Sequence, residues 1–535
     1  MRFVLTPLVL LCSLLPAQAQ EVPREVIAKT IEEGVDYLMG QQQPDGSWGA
    51  VPAKASIGGM PVAKTALVTL ALLHAKLPKS AEAVNKGVAY VTQHAPERMT
   101  YSAGAVLSML FKHGRPEKHT RLIHEYMWRL IQSQKPKGPQ AGSWGYYMVA
   151  WGPRSRNRTE PEGWDVVAGR SDQSNMQFAV LALHFARRSG YQVPRKTWER
   201  VHTYYVANQN QDGGWGYYGE PYLRANNEPL QGSRSNANMT IASTISLYLV
   251  EEALYTTRRD QSTPPKHSRT FEAGLKWIAD NWRSNMSTYG WYAAERLGIL
   301  TGRSNFGTHW WYQEGARHLT TNRNWQVGQG DRICATALAV LFLARGLEPI
   351  IINKLQRTGD WNNTPHDAQH VVEHIEHHFQ KGVQWRIVTL DAPMELLLKT
   401  PILYITGGQK LILSEAEKAK LKSYVEQGGC ILGVAYGGRK PFDESFRALV
   451  AELFPEGKLA RLPKDHTIYT SPKRLGYKPA LEELKLGGQQ GRPAVIYSPY
   501  DLCTRWNSAS KTAIPALDIA ANVYFYVNQH SPLTK

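Results

Sequence analysis

Cysteine is scarce in this chain, with 4 in 535 residues. Cys12 lies in the leader-like first segment, and Cys334, Cys430 and Cys503 are widely spaced. That excludes a disulfide framework, leaves at most one bridge, and puts stability mainly on apolar burial. Long hydrophobic runs are missing too. The stretch Leu8–Leu15 is too short to cross a bilayer, and no later stretch is apolar and uncharged for long enough, so no membrane span is expected. Acidic residues are outnumbered, 45 against 62 basic ones, for a formal charge of +17. The excess is scattered, with no basic block or aromatic and basic stripe. A nucleic-acid partner is therefore not expected, and weak attraction to anionic envelope polymers is the plainer meaning.

Arg2, the run Leu8–Leu15 and the small-x-small triplet Ala17-Gln18-Ala19 have the order of a cleavable signal peptide. Residues 1–19 are expected to be removed near Ala19, giving a periplasmic or secreted mature chain.

An internal repeat organises residues 20–346. Gly34-Val35-Asp36-Tyr37-Leu38 leads to Gln41-Gln42-Gln43-Pro44-Asp45-Gly46-Ser47-Trp48-Gly49, and Val201–Tyr205 leads to Asn208-Gln209-Asn210-Gln211-Asp212-Gly213-Gly214-Trp215-Gly216. Weaker copies pair Gln134 with Gly142-Ser143-Trp144-Gly145, and Trp282 with Tyr289-Gly290-Trp291. Each reads as an amphipathic helix, a Gly- and Asp-rich turn plugged by tryptophan, then a more apolar helix. The apolar helices are expected at 61–75, 102–111, 176–186, 239–253, 291–300 and 334–344. Six such hairpins are the number that closes an α6/α6 ring.

These Gln-x(3)-Gly-x-Trp turns resemble the repeat of squalene and oxidosqualene cyclases, related to protein prenyltransferase β-subunits. The resemblance implies an N-terminal α6/α6 toroid in which the repeat's glutamine and tryptophan brace outer helices. It also implies an acid on a central helix for the cyclases, in a D-x-D-D-T or D-C-T motif. Here Gly330-Asp331-Arg332-Ile333-Cys334-Ala335-Thr336-Ala337 puts Arg332, Cys334 and Ala335 at the acidic positions, with Asp331 displaced beside Arg332. Polyene cyclisation is not expected. The prenyltransferase zinc motif is D-x-C, whereas Asp331 and Cys334 are three apart, which suits a helix cap and a packed thiol better. The candidate toroid cavity is assigned to Asp172, Asn175, Trp291, Trp311, Asp331 and Cys334. Tyr146, Tyr147, Trp164, Tyr217, Tyr218 and Tyr289 are among the aromatics expected at its mouth.

The polar segment Arg357–Thr364 marks a linker at 347–365, so that two separately folding units are expected, with proteolysis between Gly346 and Pro365. Beyond it, β-rich runs at 385–390, 402–406, 430–435 and 494–498 alternate with helical patterns at 368–379, 415–426, 444–454 and 516–527. That is a doubly wound α/β pattern over 366–535. Pro401–Gly408, Tyr424–Gly429, Leu462–His466 and Arg492–Asp501 resemble a bacterial family of unknown function, similar to class I glutamine-amidotransferase and flavodoxin-like folds. An amidotransferase places its cysteine just after a strand, whereas Cys430 begins one, so that nucleophile is missing. Ligands of such sheets gather at the carboxyl ends of strands, so Gly407, Gly408, Tyr436, His466 and Asp501 form a candidate pocket. His366, His370 and His374 share one helical face, a spacing at which zinc would be held; no other cofactor is expected.

The reading is of an exported binding or scaffold protein. Its toroid would take a hydrophobic, glycan or peptide ligand, and its α/β domain would mediate assembly, an envelope protein being the partner. The alternative is an enzyme acting on a terpenoid or polysaccharide in the toroid cavity.

Overall fold

The structure is a computed structural model, which describes residues 21–49, 60–114, 116–150, 171–219, 234–256, 267–325, 331–487, 491–508 and 511–534. The signal-peptide segment and Trp164 lie outside the described residues.

Twelve α-helices fill the described part of the first 346 residues: α1 (Arg24–Gly40), α2 (Pro61–Ala75), α3 (Ala81–His94), α4 (Thr100–His113), α5 (Thr120–Ser133), α6 (Gln173–Arg188), α7 (Arg195–Ala207), α8 (Ala237–Thr256), α9 (Arg269–Asp280), α10 (Thr288–Thr301), α11 (Trp311–Thr321) and α12 (Arg332–Gly346). Even-numbered helices are buried nearly all round. In α2 the run Val62, Ala63, Thr65–Leu72 and His74 is buried, as an apolar sequence without a polar stripe requires. Odd-numbered helices bury one stripe; in α9 it is Phe271, Gly274, Leu275, Trp277 and Ile278. The even helices pack in a cycle, α2 on α4, α4 on α6, α6 on α8, α8 on α10, α10 on α12, and α12 back on α2. The odd helices lie against this inner layer.

The repeat turn has the same geometry in three copies. Gln42 Nε2 donates to Gly46 O inside its own turn and to Ala83 O at the start of α3, at 3.0 and 2.9 Å. Gln134 reaches Gly142 and Thr197 in the same way, and Gln209 reaches Gly213 and Thr270. The tryptophan indole turns back to the helix before it: Trp48 to Leu38 O, Trp144 to Leu130 O and Trp215 to Tyr205 O. One glutamine thus ties each turn to the next outer helix while one indole fills the hollow. Gly46 has φ +88°, and a Cβ there would lie 2.6 Å from Lys86 O. Gly46→Ala is therefore expected to cost about 1–3 kcal/mol, read as a shift in the urea midpoint; no shift would mean the turn can relax.

The second half holds a seven-stranded sheet in the order β2-β1-β3-β4-β7-β6-β5. The strands are β1 (Ile350–Leu355), β2 (Gln384–Val388), β3 (Ile402–Gly407), β4 (Cys430–Ala435), β5 (Ala460–Arg461), β6 (Glu482–Leu486) and β7 (Arg492–Ser498). The first five in that order run parallel, and β6 and β5 pair antiparallel at the edge, so the sheet is mixed. Its helices are α13 (Asp367–Phe379), α14 (Met394–Leu397), α15 (Glu415–Glu426), α16 (Lys440–Leu453), α17 (Thr467–Thr470), α18 (Cys503–Asn507) and α19 (Ile514–His530). Alternation along β3 puts Ile402 and Tyr404 in the core under α13 and α19, and Leu403 and Ile405 in the core under α15 and α16.

The stretch 347–365, expected as a linker, contains β1, which lies between β2 and β3; Ile351 and Ile352 are buried and Lys354 is neutralised there. Lys354 Nζ donates to Asp367 Oδ1 and Thr364 O, both at 2.7 Å.

Candidate functional site

First turns of the inner helices meet at one end of the cycle, Tyr101 with Ser174, Asn238 with Ser287 and Lys64 with Asp331, and last turns meet at the other. At the first-turn end, side chains cap the exposed amides. Asp172 Oδ1 accepts from Asn175 N at 2.8 Å, Asn236 Oδ1 from Met239 N at 3.0 Å and Asp331 Oδ1 from Cys334 N at 3.0 Å. Glu97 serves α2 from outside that helix, accepting from Ala63 N at 3.4 Å and from Ser102 Oγ.

Around Asp172 these caps merge with a group of tyrosines. Tyr101 Oη donates to Ser174 Oγ (2.5 Å), which donates to Asp172 Oδ1 (2.6 Å), while Asn175 Nδ2 donates to Asp172 Oδ2 (2.8 Å). Tyr146 and Tyr217 share a hydrogen bond of 2.8 Å, and Tyr289 Oη donates to Gln177 Oε1 at 2.6 Å. Burial, reinforced by the Asp172 carboxylate, pushes the phenols of Tyr101, Tyr217 and Tyr289 above their ordinary range, so they act as neutral donors. Three buried polar atoms of the same first turn, Gln173 Oε1, Asn175 Oδ1 and Gln177 Nε2, have no hydrogen-bond partner.

Asp172 and Asn175 thus sit together in this cluster, but the other four residues assigned to a toroid cavity do not join them. Trp291 is fully buried beside Trp282 and Phe342, and Trp311 packs over Gly298 with its indole donating to Arg303 O. Both fill contacts between helix layers, the position that a tryptophan in a repeat turn takes. Asp331 pairs with Lys64 at 2.6 Å, not with Arg332, whose guanidinium lies over the Tyr37 ring. Burial raises the Asp331 carboxyl, but Lys64 and the Cys334 amide outweigh it and leave the group below its ordinary value. Cys334, Cys430 and Cys503 are all free thiols. Burial pushes Cys334 up to about 12 and also raises Cys430 and Cys503 above the ordinary thiol range, so none is a ready thiolate.

At the last-turn end, α13 closes the cycle. The histidines on it do not converge on a metal position. His366 Nδ1 meets Tyr248 Oη at 3.0 Å, His370 Nε2 meets Glu252 Oε1 at 3.2 Å, and His374 Nε2 meets Asp518 Oδ1 at 2.9 Å. The helix is sandwiched between the ring and α19, so successive turns point at different neighbours. Glu373 pairs with Arg188 at 2.5 Å, Glu376 with Lys112, and Glu252 with Arg187. His74, Glu348 and Glu376 are close enough together to hold a cation, but Lys112 Nζ already reaches both carboxylates and Lys76 Nζ lies 3.3 Å from Glu348. A cavity of about 60 Å³ remains between α13 and the helix ends, lined in part by His74, Lys112, His184, Arg296, Arg345 and Glu376.

In the α/β half, Gly407, Gly408, Tyr436 and Asp501 gather at the carboxyl ends of β3, β4 and β7. Asp501 caps α18 by accepting from Thr504 N at 3.0 Å. His466 is elsewhere, 3.6 Å from Glu483 on β6 and edge-on to Tyr526, because α17 carries it to the antiparallel edge. Sequence reasoning missed Asp360, which lies in this cleft and accepts from Gly408 N and Gln409 N.

Residues 351–527 match a family described as a domain of unknown function, DUF4159. No curated protein matches the chain. Similar solved structures include a protein from Actinoplanes, 16% identical, with a TM-score of 0.36 over 59% of this chain and 99% of that one. They also include the type II terpene cyclase MstE from Scytonema in its apo form, 15% identical, with a TM-score of 0.37 over 61% and 99%. A variant of MstE in complex with its substrate geranylgeranyl dihydroxybenzoate is 14% identical, with a TM-score of 0.35 over 60% and 97%. At such values neither fold nor activity carries over from them. No described helix is long and apolar enough to cross a membrane.

Proposed function

We propose that this chain is an exported glycan-binding protein, in which an α6/α6 toroid presents its first-turn mouth to the ligand and a flavodoxin-like α/β domain plugs the opposite mouth. The cycle of six inner helices supports the toroid, and the parallel order β2-β1-β3-β4-β7 supports the second assignment. The observation that carries the ligand class is the cluster around Asp172. Its rings offer faces for stacking, while Gln173 Oε1 and Asn175 Oδ1 want donors and Gln177 Nε2 wants an acceptor. A sugar hydroxyl is both donor and acceptor, so a polyhydroxylated ligand can answer all three. A purely hydrocarbon ligand would leave them as they stand, and so would gain nothing from them.

Binding is favoured over acid–base chemistry because Asp172 and Asp331 are each engaged in capping a helix. The test is titration calorimetry of the full-length protein against defined envelope oligosaccharides. Tyr146→Ala and Tyr217→Ala are expected to weaken binding tenfold or more, at an unchanged melting temperature. Retention of long-chain isoprenoids with no oligosaccharide binding would sink the glycan reading. Turnover of a bound glycan that Asp172→Asn abolishes would replace binding by catalysis.

A further inference from the structure

Between β1 and β3 the sheet changes direction of growth, since β1 leads outward to β2 and β3 leads the other way to β4. Such a switch point leaves a crevice above the carboxyl ends of the strands. In this crevice one carboxylate oxygen, Asp360 Oδ2, accepts from the backbone of Gly408 at 2.7 Å and of Gln409 at 2.9 Å, and from Asn363 Nδ2 at 3.0 Å. The other oxygen faces Arg357 Nη2 at 3.5 Å. Arg357 is itself buried, and its Nε has no partner. Its guanidinium crosses Gly407 so closely that a Cβ there would lie 2.3 Å from Nη2. Arg439 closes the other side, its exposed guanidinium stacked on Tyr436 and lying over Gly408. Two guanidiniums and two backbone amides therefore line the crevice, where Asp501 also lies beside Tyr436, and the buried Arg357 Nε is left without a partner.

We propose that the crevice is an anion subsite for a small ligand bearing a phosphate or carboxylate group, and that Asp360 is a built-in stand-in which yields its place when the ligand enters. Gly408 N, Gln409 N, Arg357 and Arg439 would hold the anion. Asp360 can leave without breaking the sheet, because it lies on the irregular segment between β1 and α13 and is a fifth exposed. A tethered carboxylate competes at an effective concentration in the millimolar range. It thus masks weak ligands in the intact protein.

The experiment is calorimetric titration of full-length protein with inorganic phosphate and, separately, acetate. Asp360→Ala is expected to bind one of them at least tenfold more tightly than the unaltered chain, and Arg439→Ala added to Asp360→Ala is expected to reverse that gain. The arm that gains names the group: phosphate or carboxylate. Should Asp360→Ala fail to fold, Asp360→Asn, which keeps the shape and loses the charge, replaces it. Equal affinity of the folded variant and the unaltered chain for both anions, or a gain that Arg439→Ala leaves intact, would overturn the proposal.

Discussion

Replacing Glu252 with alanine is expected to destabilise the full-length protein by about 3–5 kcal/mol. Glu252 is completely buried on α8 and meets Arg187, Gln369 and His370 together. Burial alone would raise its pKa, but Arg187, His370 and His184 reverse that and hold it well below the ordinary carboxylate range. Removing it leaves Arg187 and the interface donors in a dry site without their counter-charge. A urea titration reads the loss directly, and a change below 1 kcal/mol would mean that water takes over the carboxylate's role. The pH profile separates this group from its neighbours. A depressed carboxyl contributes stability above its unfolded pKa near 4.5, which is lost as pH falls toward the folded value. His184 and His366 act earlier. Burial lowers them to about 4 and about 3, so the unfolded chain takes up their protons first, below about pH 6.5. Stability should therefore already decline from pH 6.5 to 4.5, by roughly 1.4 kcal/mol per pH unit for each histidine. His184→Gln is expected to flatten that limb.

Ending the chain at Gly346 is expected to yield an aggregating product, not a stable helical domain. Without α13 the last turns of α2, α4, α6, α8, α10 and α12 would expose Phe111, Phe185, Leu300 and Tyr248 beside Lys112, Arg188, Arg296 and Glu252. β2 also leaves: Ile387 N donates to Gly302 O at 2.7 Å, and the Trp385 ring covers Gly302. Proteases should leave 350–355 uncut in the intact protein, because β1 is paired on both sides. A soluble, monodisperse fragment 20–346 with a cooperative melt would show that the interface is dispensable.

The inner helices were legible because an element apolar all round has no other place to go, and 61–75 coincides with α2. The sheet was legible only where strands are uniformly apolar. β1 was missed because Asn353 and Lys354 look like linker residues until Arg386 and Asp367 are seen to satisfy them. β6 was missed because Glu482-Glu483-Leu484-Lys485-Leu486 is an edge strand with charged sides. At the site, Asp172 and Asn175 were visible as a helix start. Gln177 lay inside an expected helical span and Tyr101 and Ser174 just before two of them, although hydroxyls and amides in the first turn of an otherwise apolar helix were a signal. The histidine row meets separate partners for a different reason. Periodicity places side chains on a helix face, but Glu252 and Asp518, which decide what those imidazoles do, are 118 and 144 residues away.

The packing of α12 against α2 sets a waiting time. Lys76, just past α2, meets Glu348 across 272 residues of chain, which is roughly 14–54 s of synthesis at about 5–20 residues per second. Throughout that interval α2 has no second inner neighbour, and the plug that covers its last turn is made later still. A nascent chain in this condition is a natural client for a holding chaperone, and its completed half becomes safe from self-association only after the other half has emerged.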